Sequence, residues 1–154
     1  GAEEMEFAAK HGIQTAVVPG ISSSLAVPAN QNIPLTKRGS SESFWVITGT
    51  TKNHEISSDV YLAAKSNATI VILMGMSKLP KILALFEAEG KSDLPVAIIQ
   101  NGTRDNEKVG IGTVATIEKV VAEQSLKNPA IIVLGEVVSH KTIMDSLSIN
   151  AFHK

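Results

Sequence analysis

Residues 68–76 read ATIVILMGM, an apolar run of strand length with almost no polar interruption. A strand with one wet face alternates polar and apolar side chains, so an unbroken run marks a strand covered on both faces. A chain with such a strand must supply helices to cover both sides of a sheet. The remaining sequence supplies them. Strand-like runs at residues 14–20, 43–49, 95–102, 109–114 and 130–138 alternate with helical patterns. Residues 78–90 place Leu79, Ile82, Leu83 and Phe86 on one helical face and stop at Gly90. In residues 116–126, Thr116 stands at the N-cap and Ile117, Val120 and Val121 form the apolar side. Residues 57–66 open on a capping Ser-Ser-Asp head. The polar stretch after Asn101-Gly102 joins two strands with no helix between them, which predicts an antiparallel pair. The expected fold is therefore α/β, a mixed sheet of about five strands flanked by helices.

Composition narrows the function classes. The chain has 154 residues, 44% hydrophobic and 19% charged, which suits one globular domain. A net charge of -1 gives no general attraction to nucleic acid or anionic lipid. No apolar run approaches the roughly 20 residues that span a bilayer, so neither a membrane nor a nucleic-acid partner is expected. Cysteine is absent, which excludes disulfides and thiolate chemistry and fits a reducing, cytoplasmic setting. The histidines His11, His54, His140 and His153 have no second ligand at helical or turn spacing, so no metal is expected.

Three strands end in glycine with small or polar neighbours, in PGISS, LMGM and IQNG. Ligands of open α/β sheets gather at the carboxyl ends of strands, where glycine lets backbone groups meet a ligand. Ordinary strand-to-helix turning explains each one singly. Serines after Pro19-Gly20 suit either a helix N-cap or a polar ligand site. There is no G-x-S-x-G frame for a serine hydrolase. Gly110-Ile111-Gly112 reads as a bulge or close backbone approach. The Pro-anchored loop at residues 32–39 carries Lys37 and Arg38, which beside a cleft would clamp a carboxylate or phosphate.

In this order, VVPGISSSLAVPANQNIPLTKRG, FWVITGT, TIVILMGMSKLPKI, PVAIIQNGTRDNEKVGIGTVATI and PAIIVLGEVV resemble the tetrapyrrole methylase family. The similarity reaches to about Val138 and is most specific in the IPLT-x-R-G loop and the Leu-Met-Gly strand end. ITGT departs from the family's T-G-H, which leaves little role for Thr50. The family's G-x-G-P-G and G-D-P loops are absent. The resemblance thus implies the last helix and strand of a first, cofactor lobe and an inter-lobe connection in residues 1–39. A complete second lobe would fill residues 40–140 and a C-terminal tail residues 141–154. The piece itself is expected to be inactive.

The resemblance also implies a reaction: methylation of ring carbons of uroporphyrinogen III by S-adenosylmethionine, giving precorrin-2 toward sirohaem or cobalamin and S-adenosylhomocysteine as by-product. It implies Ser22, Ser23, Met74 and Gly102 as residues binding S-adenosylmethionine. Arg38 and Glu3 would face the tetrapyrrole substrate, and no residue stands out as the proton acceptor. Family members are homodimers, so a homodimer is expected. The IPLT-x-R-G loop favours uroporphyrinogen over a later precorrin or a diphthamide-type acceptor. A non-catalytic α/β interaction module is the alternative from another class.

Overall fold

The structure, a computed structural model, describes residues 1–53 and 55–151. His54 and His153 lie outside the described residues. Five strands form one open sheet: β1 (Phe44–Thr48), β2 (Thr69–Leu73), β3 (Pro95–Gln100), β4 (Lys108–Thr113) and β5 (Ala130–Leu134). Their spatial order is β1-β2-β5-β3-β4. β1 and β2 run parallel, while β5 is antiparallel to β2 and β3, and β4 is antiparallel to β3. The helix-free link through Asn101-Gly102 therefore makes the antiparallel pair that its sequence predicts, and the sheet is mixed.

The pattern of β2 explains the layers. Ile70 and Ile72 point to one face, and Val71 points to the other. Across the sheet Ile72 pairs with Ile132, and Ile132 with Ile98, making one continuous apolar row. This face is covered by α3 (Ser58–Lys65), α4 (Leu79–Ala88) and α5 (Ile117–Gln124), through Val60, Ile82, Phe86 and Ile117. The opposite face packs Val71, Ala97, Ile99 and Val133 beneath α2 (Ser23–Asn30), Ile33 and the turn Glu136–Val138. All four residues expected to form the apolar face of α4 are buried. Thr116 precedes α5 as expected, but its hydroxyl accepts from the Thr113 amide at 2.8 Å instead of capping the helix.

One stretch differs from its sequence reading. Residues 14–20 form no strand; the chain from 13 to 22 is irregular. A strand needs a neighbouring ladder, and none reaches this segment, so Val17, Val18 and Ile21 stand 70%, 88% and 90% exposed. The stretch read as a C-terminal tail carries α6 (Ser139–Ala151). Before the irregular stretch, α1 (Ala2–Lys10) buries no residue.

Candidate functional site

Strands β2 and β3 deliver their last residues to the same end of the sheet, where the antiparallel β5 begins. A cavity of about 450 Å³ opens there. Its lining comes from the α2 head (Ser23, Val27), the end of β2 (Leu73, Met74) and the turn after β3 (Asn101, Gly102, Arg104), with Pro129–Ile131 opposite. Leu73, Ile99 and Ile131 give it an apolar floor, and a few polar groups stand at its rim. That mixture is what small-molecule sites use.

The two serines have different jobs. Ser22 is the N-cap of α2; its Oγ accepts from the Ser24 amide at 3.3 Å and shares a hydrogen bond with Ser24 Oγ at 2.7 Å. Its side chain is thereby spent on the helix end, while Ser23 faces the cavity. Of the two adjacent serines, Ser22 is thus the helix cap, and Ser23 is the one that lines the cavity.

Met74 is 64% exposed and holds a left-handed φ of 56°. Such a φ is uncommon outside glycine and persists only where the surroundings enforce it. Thr50 supplies part of that enforcement, donating from Oγ1 to the Met74 carbonyl at 2.8 Å. Beneath it, the Gly49 amide donates to the Leu73 carbonyl at 2.7 Å. A neighbouring hollow of about 410 Å³, lined by Thr50, Met74, Ser77, Asn128, Pro129 and Ala130, shares Met74, Pro129 and Ala130 with the first cavity. Met74, Pro129 and Ala130 therefore border both of these adjoining spaces.

Gly102 is required by packing. A Cβ built there would lie 2.4 Å from Val27 Cγ1 and 2.5 Å from Cγ2, so α2 sits directly on the turn. Gly102→Ala is expected to destabilise by about 1–3 kcal/mol through overpacking. Adding Val27→Ala should recover much of that loss, since it removes the atoms in conflict. Denaturant melts of the two single variants and the double variant check this coupling.

The cavity unites Ser23, Met74 and Gly102, and leaves Ser22, Arg38 and Glu3 outside its lining. Arg38 sits on the turn closed by the Lys37–Ser41 bridge. Ser41 bonds Thr69 Oγ1 at 2.9 Å, which pins this turn to the start of β2, the far end of the sheet. Glu3 lies exposed on α1. A hollow of about 420 Å³ also opens at the far end, near Ser40, Ser66, Lys91, Asp93 and Glu136, so size alone does not select a site. There Lys91 donates to the Ser66 carbonyl. Burial holds its ammonium below the ordinary lysine pKa, against a small opposing pull from Glu89. Val27, Arg104 and Pro129 escaped the sequence reading, which set Thr50 aside and took Asn101 only as a turn residue. Only the position of Arg104 just after a strand end gave a hint. Among the described residues no group of three His, Asp or Glu could hold a metal ion.

Comparison with known proteins gives this geometry its context. The family profile of the Tetrapyrrole (Corrin/Porphyrin) Methylases matches residues 1–118. The S-adenosyl-L-methionine-dependent uroporphyrinogen III methyltransferase of Methanosarcina barkeri is 42% identical over 141 residues, covering 90% of this chain and 55% of its own. The siroheme synthase of Hydrogenovibrio crunogenus is 38% identical over 139 residues, covering 90% of this chain and 29% of its own. The crystal structure of uroporphyrin-III C-methyl transferase from Thermus thermophilus, complexed with S-adenyl homocysteine, superposes with a TM-score of 0.75 at 26% identity. That match covers 90% of this chain and 60% of that one. The chain thus spans between 29% and 60% of the length of these three relatives. With its profile matched over most of the sequence and its mixed sheet shared with a solved relative, the chain belongs to the tetrapyrrole methylases.

Proposed function

We propose that this chain forms the second lobe of an S-adenosylmethionine-dependent methyltransferase acting on ring carbons of uroporphyrinogen III. Residues 1–39 would complete a first lobe and its connection, and residues 40–140 the second lobe. The observation that carries the reading is the convergence of Ser23, Met74 and Gly102 on one cavity at the strand ends. The names of the Methanosarcina and Thermus relatives supply the donor and acceptor. Exposed Val17, Val18 and Ile21 support a covering lobe, since such apolar side chains gain by burial. Apolar Phe44, Trp45 and Val46 on edge strand β1, with Tyr61 and Leu62 on α3, offer a surface for the proposed homodimer.

S-adenosylmethionine supplies an electrophilic methyl group. An electron-rich pyrrole carbon forms the new C–C bond as the C–S bond breaks and its electron pair stays on sulfur; the ring then loses a proton. The chain's residues contribute alignment more than acid–base chemistry. The apolar floor of Leu73, Ile99 and Ile131 excludes water, Ser23 and Asn101 offer polar groups at the rim, and Met74, with Pro129 and Ala130, stands between donor space and acceptor space.

The test is methyl transfer. The full-length enzyme, incubated with uroporphyrinogen III and S-adenosylmethionine, should develop precorrin-2 absorbance, and the 154-residue chain alone should not. Turnover by the full-length enzyme only with a more highly methylated acceptor would redirect the reading to a later precorrin. Turnover by the isolated chain at the full-length rate would remove the two-lobe proposal.

A further inference from the structure

We propose that Arg104 is a carboxylate-binding residue of the donor cavity, gripping an anionic group of the bound donor–acceptor pair. The inference rests on the cavity reading above and goes beyond it in assigning a ligand group to a residue that neither charge patterning nor the resemblance singled out.

Among the described residues lining the cavity, Arg104 alone carries a charge. Its guanidinium has no ion pair or hydrogen bond among the described residues. Glu107, the carboxylate of the same loop that faces back toward the turn, is already engaged. It accepts from the Thr103 amide at 2.6 Å and from the Gln31 side chain. The backbone beneath Arg104 is fixed: its amide donates to the Asn101 carbonyl at 3.1 Å, and its carbonyl accepts from the Glu107 amide at 3.0 Å. Asn101 and Thr103 hold left-handed φ angles of 51° and 66°. For β-branched Thr103 that conformation is a real outlier, which its bond to Glu107 helps to hold. A braced turn thus presents an unneutralised cation to a cavity floored by apolar side chains.

Chemistry selects the partner. A guanidinium stays charged and offers a planar fork that matches a carboxylate. Set against a sulfonium it would repel, so within a donor cavity its partner must be an anion. The pair offers carboxylates from two sources: the amino-acid carboxylate of S-adenosylmethionine and the acetate and propionate arms of uroporphyrinogen.

The experiment uses the full-length enzyme with Arg104→Gln and Arg104→Lys. Calorimetry measures the affinity for S-adenosylmethionine and for decarboxylated S-adenosylmethionine, and steady-state assays measure KM and kcat for uroporphyrinogen III. Arg104→Gln should lose about 10- to 100-fold in one arm, as expected for a hydrogen bond to a charged group, with Arg104→Lys recovering part. If the donor's carboxylate is held, S-adenosylmethionine weakens and its decarboxylated analogue does not. If the acceptor's is held, both donors bind as before and the uroporphyrinogen KM rises. Unchanged affinity and KM in Arg104→Gln, with Met74→Lys still losing the donor, overturns the Arg104 assignment alone. Equal weakening of both donors and the acceptor also overturns it, since that pattern marks a structural role. Normal donor binding by Met74→Lys would bring down the cavity reading and this proposal with it.

Discussion

Met74→Lys is expected to melt like the unaltered protein and yet lose S-adenosylmethionine by 100-fold or more. Met74 is 64% exposed, so its replacement by a long polar side chain leaves no cavity in the core. The sulfur therefore does not pack under the sheet, as a methionine at the end of an apolar strand often does. It lines both adjoining hollows. A lysine ammonium there would stand beside the sulfonium of the proposed donor. Two like charges about 4 Å apart repel by roughly 4 kcal/mol at the effective dielectric of a protein surface. Met74→Leu, which keeps the shape and adds no charge, should bind nearly as before. Parallel melting curves and calorimetric titrations check the pair. A folded Met74→Lys variant with normal affinity would mean that the donor lies elsewhere.

Gly49→Ala should have the largest effect on stability. A Cβ there would lie 2.6 Å from Gly75 Cα and 2.8 Å from Ile72 Cγ2. The first of these is backbone against backbone, and neither partner can rotate away. The ends of β1 and β2 would have to separate, breaking the 2.7 Å bond from the Gly49 amide to the Leu73 carbonyl. The expected cost is about 3 kcal/mol or more, or a fall of roughly 6–12 °C in Tm for a chain of this size. The contrast with Gly102→Ala is instructive, because there the obstacle is the Val27 side chain, which a second substitution can trim. Thermal melts of Gly49→Ala, Ile72→Ala and the double variant check the difference: removing Ile72 Cγ2 should rescue little of the Gly49→Ala loss. Substantial rescue would show that the side chain, and not the Gly75 backbone, sets the limit.

Much of the fold was legible because its signals are local. The run at residues 68–76 announced a strand covered on both faces, and Ile70, Val71 and Ile72 are each buried. The Asn101-Gly102 turn announced an antiparallel pair, and the spacing of Leu79, Ile82, Leu83 and Phe86 announced a buried helix face. Residues 14–20 misled because β propensity describes what a strand would bury against a neighbour, and no neighbour is present. At the site, strand-end glycines pointed to the end of the sheet where the cavity of Ser23, Met74 and Gly102 opens. Arg38 did not follow, because the charge of a loop says nothing about which end of the sheet it reaches. The Ser41–Thr69 bond decides that, across 28 residues of sequence. Thr50 was undervalued for a related reason. Its hydroxyl acts on the Met74 backbone, and no spacing pattern records a contact 24 residues away.

The strand-end cavity is the proposed seat of the methyl donor. Amide hydrogen exchange on the full-length enzyme, with and without saturating S-adenosylhomocysteine, tests it most directly. Ligand-induced protection is expected at Ser23, Met74, Asn101 and Gly102, the residues that converge on the cavity. Protection at Ser66, Lys91, Asp93 and Glu136 instead, around the hollow at the opposite end of the sheet, would contradict it.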